Sequence, residues 1–222
     1  MSSNNRLVQI YNSRNTILNI LEKMYSYDIS EYEGFSLNEI DAMIATEQLD
    51  MILVKTNSEN ASADTEHKLV DAKSKMYIKY YMRSTMNESQ LQVYVEDLYF
   101  DSNTLTKDDT LIVIFENEPN ASLIEYLKHL YNQDGIFVVV HNIERLQFNI
   151  LEHQLVPKIS ILNESDTAEL IKTYNLKSLN QLPEISRFDP QALAVCLRPG
   201  QVCKLIRSSP TSMTSTYYRV CV

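Results

Sequence analysis

Three glycines in 222 residues, Gly34, Gly135 and Gly200, stand far from one another. Backbone can approach a phosphate closely only where glycines cluster, so this spacing excludes a P-loop and a GxGxxG dinucleotide turn. It excludes the GxSxG nucleophile elbow as well, and with it collagen-like and flexible-linker segments. Hydrophobic residues make up 44% and charged residues 22%, the proportions of an ordinary soluble globular protein. At this length the chain forms one large domain or two small ones.

Charge divides the chain. The formal net charge is −9. From Leu151 onward eight Lys or Arg stand against six Asp or Glu, which leaves twelve against twenty-three, a net of −11, on residues 1–150. An acidic chain lacks the phosphate-neutralising surplus of an autonomous nucleic-acid binder. The asymmetry itself predicts two parts with different surfaces.

Cys196, Cys203 and Cys221 are odd in number, lack a CxxC and fall within the last 27 residues. That pattern predicts neither a disulfide framework nor a zinc site, and a reducing compartment. The opening MSSNNRLVQIYNSRN has no apolar signal core, and no apolar run reaches membrane-spanning length. The expectation is a chain that is neither secreted nor held in a membrane.

Local patterning predicts an alternating series of elements. Leu7, Ile10, Ile17, Leu18, Leu21, Met24 and Tyr25 form a helical stripe broken once by Arg14. Ser36 with Glu39 makes a capping box, with Phe35 and Ile40 as its staple, for a helix running toward Leu49. Residues 50–54 predict a buried strand and 56–66 a loop. Strict alternation over 75–83 sets Met76, Ile78, Tyr80 and Met82 on one face, with Lys75, Tyr77, Lys79, Tyr81 and Arg83 on the other. Then follow a short helix from Asn87 with Gln90, a strand over 110–115, a helix capped by Asn120, and a strand over 136–140. This order predicts an α/β layer with parallel pairing. Beyond about residue 148 come a helix over 164–174, turns at Pro183, Pro190 and Pro199, and strands over 202–207 and 217–222.

Chemistry is sparse. Asp71 and Lys73, with Asp50 and Lys55, echo the carboxylate-x-lysine core of metal-dependent nucleases, in which carboxylates hold the ion and lysine polarises water. His67, His129, His141 and His153 have no ligand spacing, and His153 reads as structural. Cys203 is a buried small hydrophobe whose neighbours Lys204 and Arg207 could lower its pKa. Lys75, Lys79 and Arg83 form the best nucleic-acid strip by residue type, because Lys and Arg contact phosphates and the interleaved Tyr can stack on bases. Arg198, Lys204, Arg207 and Arg219 form a second basic set that could face DNA or an acidic partner. No metal, cofactor or catalytic group emerges.

The run HQLVPK (153–158), then LNESDTAELIKTYNL, QLPEI, DPQA, LRPGQVCKLIRSSPTS and a closing YYRV resembles the fifth-largest shared subunit of eukaryotic-type DNA-directed RNA polymerases and its archaeal equivalent. The resemblance covers residues 151–222; over 1–150 it rests on element order and on TLIVIF and GIFVVVHNI. His153, Leu155, Val156, Pro157 and Lys158 match its HxLVPK. Gln181, Leu182, Pro183, Asp189 and Pro190 match its QLP and DP turns. Gly200, Val202, Lys204, Ile206 and Arg207 match its glycine turn and basic strand, and Tyr218 with Arg219 its YR. Ile159 stands where the family usually has a second histidine, and Pro199 and Pro210 replace a basic and an acidic residue. Met213 and Thr214 fall where glycine is usual.

The resemblance implies a jaw domain over 1–147 with a nuclease-like α/β core but no nuclease activity, and a small α+β assembly domain over 148–222. It implies a non-catalytic subunit whose assembly domain docks on the largest subunit and whose jaw lies along downstream duplex DNA. Its motif residues become partner contacts, and Lys75, Lys79 and Arg83, taken from residue type rather than from the resemblance, are the expected DNA contacts. Alternatives are a divergent metal-dependent nuclease and a regulator that borrowed the assembly domain. Abundant Asn, Ile and Tyr with few Gly suit an AT-rich genome, such as a large DNA virus encoding its own polymerase. The expected location is then a virion and the host cytoplasm, or the nucleus for a cellular protein.

Overall fold

The computed structural model describes residues 3–55, 74–82 and 86–222. The loop expected over 56–66, together with His67, Asp71, Lys73 and Arg83, lies outside the described residues. The described residues form two compact units that divide between Phe148 and Asn149.

The first unit is built on a sheet of β1 (Met51–Val54), β2 (Lys75–Tyr80), β3 (Thr110–Phe115) and β4 (Phe137–Asn142), in that order. β1 runs antiparallel to β2, whereas β2, β3 and β4 are mutually parallel. Parallel neighbours need crossovers. Helix α3 (Glu88–Val95), continued by a π-helical turn Glu96–Asp101, and helix α4 (Ala121–Asp134) supply them. β3 and β4 are buried at every position, as strands covered on both faces must be.

Helix α1 (Ser3–Tyr25) covers one face: Ser13 on it meets the Tyr80 hydroxyl at 3.2 Å, and Tyr80 shares its face with the buried Met76 and Ile78. α3 covers the other, where the Lys79 ammonium sits 4.8 Å from the Tyr94 ring centroid. Helix α2 (Leu37–Ala45) packs on α1.

Local chemistry sets the helix boundaries. Ser36 and Glu39 exchange the two bonds of a capping box, and Asn87 with Gln90 forms another. The Asn120 side chain accepts the Leu123 N–H at 2.8 Å. Gly135 ends α4 at φ 73°, where a Cβ would be strained.

Three expectations change. β1 is an alternating edge strand, not a buried one, with Met51 and Leu53 inward and Ile52 and Val54 exposed. α2 stops at Ala45, because Glu47 takes φ 55° and turns the chain before Leu49. Arg14, read as a break in the α1 stripe, is 2% exposed. Its guanidinium lies 5.7 Å from the Tyr32 ring and 5.5 Å from the Phe35 ring, and donates to the Leu49 carbonyl at 3.0 Å. Its Nε has no partner among the described residues, and burial pushes its pKa down.

The second unit has a sheet in the order β5 (Lys158–Ile161), β7 (Val202–Ser209), β8 (Met213–Cys221), β6 (Glu184–Ile185). β5–β7 and β7–β8 are antiparallel, and β6 joins β8 in parallel over two residues. Helices α5 (Glu164–Thr173) and α6 (Pro190–Ala194) complete it. α6 starts on Asp189, whose carboxylate accepts the Gln191 N–H, with Pro190 at its first position. The core gathers Ala192, Val195, Leu197, Val202, Cys203 and Val220.

Candidate partner-docking surface

The motif residues of the second unit do two jobs, building turns and offering an exposed rim. His153 follows a 3-10 turn, and its Nδ1 accepts the Leu155 N–H at 3.2 Å. This turn throws Leu155 outward, 85% exposed, while Val156 and Pro157 stay half-buried. The Pro157 carbonyl takes the Gln191 side-chain amide at 2.6 Å, tying the HxLVPK segment to α6. Lys158 opens β5 opposite Ile206 and is exposed.

Gln181 accepts the Lys177 N–H at 2.6 Å, and the Pro183 carbonyl accepts the Val220 N–H at 3.0 Å, which holds β6 beside β8. Gly200 sits at φ 86° with open space around it, so backbone conformation rather than crowding selects glycine there. Its N–H donates to the Cys221 carbonyl at 2.9 Å.

The basic residues separate. Side chains alternate along a strand, so Lys204 and Arg207, three apart, lie on opposite faces. Lys204 stands opposite Tyr218, whereas Arg207 shares its face with Tyr217 and Arg219. The Arg207 guanidinium stacks 4.2 Å from the Tyr217 ring and donates to its hydroxyl at 2.6 Å. The Tyr217 pKa falls, through a hydrogen bond with Ser215 and then through Arg207. Arg219 donates to the Glu184 carbonyl at 3.1 Å.

The cysteines carry no activated thiol. Burial pushes Cys196 up to about 12, Cys203 to about 11 and Cys221 to about 12. Cys203 is fully buried, as a small hydrophobe in the strand, and desolvation outweighs the downward pull of Arg219; Lys204 and Arg207 do not lower it. Among the described residues no group of three His, Cys, Asp or Glu could hold a metal ion.

In the first unit, Lys75 is exposed, but Lys79 is paired. Asp50 lies next to it across the β1–β2 register, its Oδ2 2.7 Å from the lysine Nζ and 3.0 Å from the Tyr77 hydroxyl. Burial, with Asp50 second, raises the Tyr77 pKa. Tyr81, expected on the exposed face, is buried beyond the end of β2 and donates to Gln90. The basic strip is therefore partly neutralised. Asp50 also serves this pair, and among the described residues no carboxylate cluster forms around it.

Sequence reasoning missed the Asp50–Lys79 pair, the Gln191 tie and the Arg207–Tyr217 stack. Gln191 was visible within the DPQA motif; the other two depend on cross-strand register, which single-chain periodicity does not carry.

The model of the RNA polymerase Rpb5 C-terminal domain matches residues 148–221. DNA-directed RNA polymerase subunit Rpo5 of Thermococcus kodakarensis is 42% identical over 76 residues, 34% of this chain and 92% of the relative. The subunit RPABC1 of RNA polymerases I, II and III from Caenorhabditis elegans is 41% identical over 87 residues, 39% of this chain and 41% of that protein. The corresponding subunit of Dictyostelium discoideum, rpabc1, is 30% identical over 223 residues, which span the whole of both chains. With the family model matching residues 148–221 and the Dictyostelium likeness running end to end, this chain belongs to the RNA polymerase Rpb5 family.

Proposed function

We propose that this chain is a non-catalytic subunit of a multisubunit DNA-directed RNA polymerase. The observation that carries the reading is the end-to-end similarity to the Dictyostelium subunit, which spans both compact units. Residues 148–222 form the assembly domain and dock on the largest subunit. Leu155 and the Arg207–Tyr217–Arg219 face supply exposed anchors on turns held by Pro157, Pro183, Asp189, Pro190 and Gly200. Residues 1–147 form the jaw, a nuclease-like α/β core that lies along downstream duplex DNA and has no activity of its own. Lys75, with Arg83, supplies phosphate contacts, while Lys79 is already engaged by Asp50. A cellular form acts in the nucleus, a viral form in the virion and host cytoplasm.

The test is affinity purification of the tagged full-length chain. The expected result is stoichiometric recovery of the largest polymerase subunit. Recovery of the chain alone would overturn the reading.

A further inference from the structure

We propose that the outer edge of β8 is a strand-addition site, where an extended, acidic segment of a partner polypeptide pairs with the backbone at Thr216 and Tyr218. The proposal deepens the docking reading and rests on it.

The hairpin outruns its neighbours. β7 and β8 pair from Val202↔Val220 to Ser209↔Met213 without a bulge. β5 covers β7 only from Cys203 to Ile206, and β6 meets β8 only at Val220 and Cys221. On the far side of β8, no strand among the described residues pairs with positions 213–219.

Backbone direction follows from the hydrogen bonds at the end of the strand. The Val220 N–H points away from β7, to the Pro183 carbonyl, whereas the Cys221 N–H points to the Gln201 carbonyl. Backbone groups alternate sides along an antiparallel strand. Tyr218 and Thr216 therefore face outward like Val220, and their N–H and C=O groups have no backbone partner among the described residues. At Thr214 the turn closes the edge, because its N–H donates to Ser212.

Natural proteins blunt such edges with lysine, proline or a bulge. Positions 213–218 read MTSTYY, with no charge, no proline and an unbroken register. Thr and Tyr are strong strand formers, and main-chain pairing to an open edge is a general mode of peptide capture. Met213, 86% exposed, and Tyr217, 39% exposed, add apolar contacts on one face.

Charge selects the occupant. No Asp or Glu occurs after Asp189, whereas Arg198, Lys204, Arg207 and Arg219 all do. A second copy of this chain would bring these four cations against themselves. A segment with carboxylates flanking its paired residues would meet Arg207 and Arg219 instead.

Hydrogen exchange on the full chain, free and within the purified polymerase, tests this. The Thr216 and Tyr218 amides should exchange freely in the isolated chain and at least about tenfold more slowly in the complex. Thr216→Pro removes an outward N–H and leaves the β7 ladder intact, so it should melt like the parent. It should also lower recovery of the largest subunit after salt washing by about tenfold, the weight of one backbone bond and its geometry. Arg219→Glu should lower recovery in the same direction. Unchanged exchange at both amides within the complex, or full recovery by a folded Thr216→Pro variant, would overturn the edge proposal while leaving the subunit reading standing. Recovery of no polymerase by the parent chain would overturn both. A dimer of the free chain that Thr216→Pro dissolves, seen by sedimentation, would assign the edge to a second copy and overturn it too.

Discussion

Replacing Asp109 by alanine should destabilise the first unit by about 2–3 kcal/mol, because two backbone segments share its carboxylate. Asp109 is buried immediately before β3. One oxygen accepts the N–H of Lys75, the first residue of β2. The other accepts the Thr106 N–H at 2.6 Å and the Thr106 hydroxyl at 2.9 Å. One side chain thus closes the turn before β3 and fixes where β2 begins. A buried donor left without an acceptor costs about 1–3 kcal/mol, and alanine strands two backbone donors. Thr106 and Lys75 are both exposed residues, so water takes over part of the loss and each donor counts for about 1–1.5 kcal/mol. Asp109→Asn keeps one acceptor but turns an amide toward the other donor, and should cost about half as much.

The two compact units make a single unfolding free energy ill-defined. Native-state hydrogen exchange separates them. Amides of Ile112 and Val139 in the first-unit sheet should exchange about 30- to 150-fold faster in Asp109→Ala, and the Leu205 amide of the second unit should not change. Equal acceleration in both units, less than about fivefold acceleration at Ile112, or Asn as harmful as Ala would refute the reasoning.

Met213 takes φ 58° and is almost fully exposed, so Met213→Gly should relieve left-handed strain and raise second-unit stability by about 0.5–1 kcal/mol in urea titration, net of the entropy glycine adds to the unfolded chain. The three thiols are held neutral, with folded pKa values of about 11 to 12 against an ordinary 9.0. The unfolded state loses these protons first, so their contribution is intact below pH 9.0, declines above it and is lost through pH 11 to 12; Cys203→Ala should flatten that decline in an alkaline melting series. Native chain should also resist alkylation at pH 8 until it is unfolded. In the assembled polymerase, Lys75→Ser should lower the salt-dependence slope of downstream DNA binding by about 0.9, and Lys79→Ser by much less, because Asp50 already holds that charge.

The features legible in the sequence are those whose cause is local. Ser36 with Glu39, Asn87 with Gln90, and Asn120 each satisfy helix N–H groups within three residues, so type and position alone announce the helix start. The continuous run of β3 announces burial on both faces. The missed features have distant causes. β6 is two residues long and exists because Pro183 and Ile185 bond to the end of the chain. β8 starts at Met213 rather than near Tyr217, because register pairing with β7 extends the strand through residues 213–216, whose polar run shows no buried face of its own. Arg14 reads only as a break in the apolar stripe, because the groups that receive it, Tyr32, Phe35 and the Leu49 carbonyl, are far along the chain. At the candidate docking surface, the turn-forming residues were legible from proline and glycine chemistry. Which cations share a face needed the register.

The two units use their cations in opposite ways, and that difference bears on what each can bind. In the first unit Arg6 pairs with Glu116, Lys79 with Asp50 and Arg145 with Glu118, each at 2.9 Å or less. Those cations arrive already neutralised, within a sequence half that is acidic overall. They can contribute little to a long-range attraction for nucleic acid. In the second unit Arg207 leans on the Tyr217 ring and Arg219 on the Glu184 carbonyl, and both partners are uncharged. Such contacts fix where a guanidinium sits without cancelling its charge. Guanidinium forks retain donors for a carboxylate while stacked or bonded to carbonyls, as a point-like ammonium does less well. The chain's terminal hairpin thus presents oriented, uncompensated positive charge beside an open strand edge. That arrangement favours an acidic polypeptide held by its backbone over a duplex held by its phosphates.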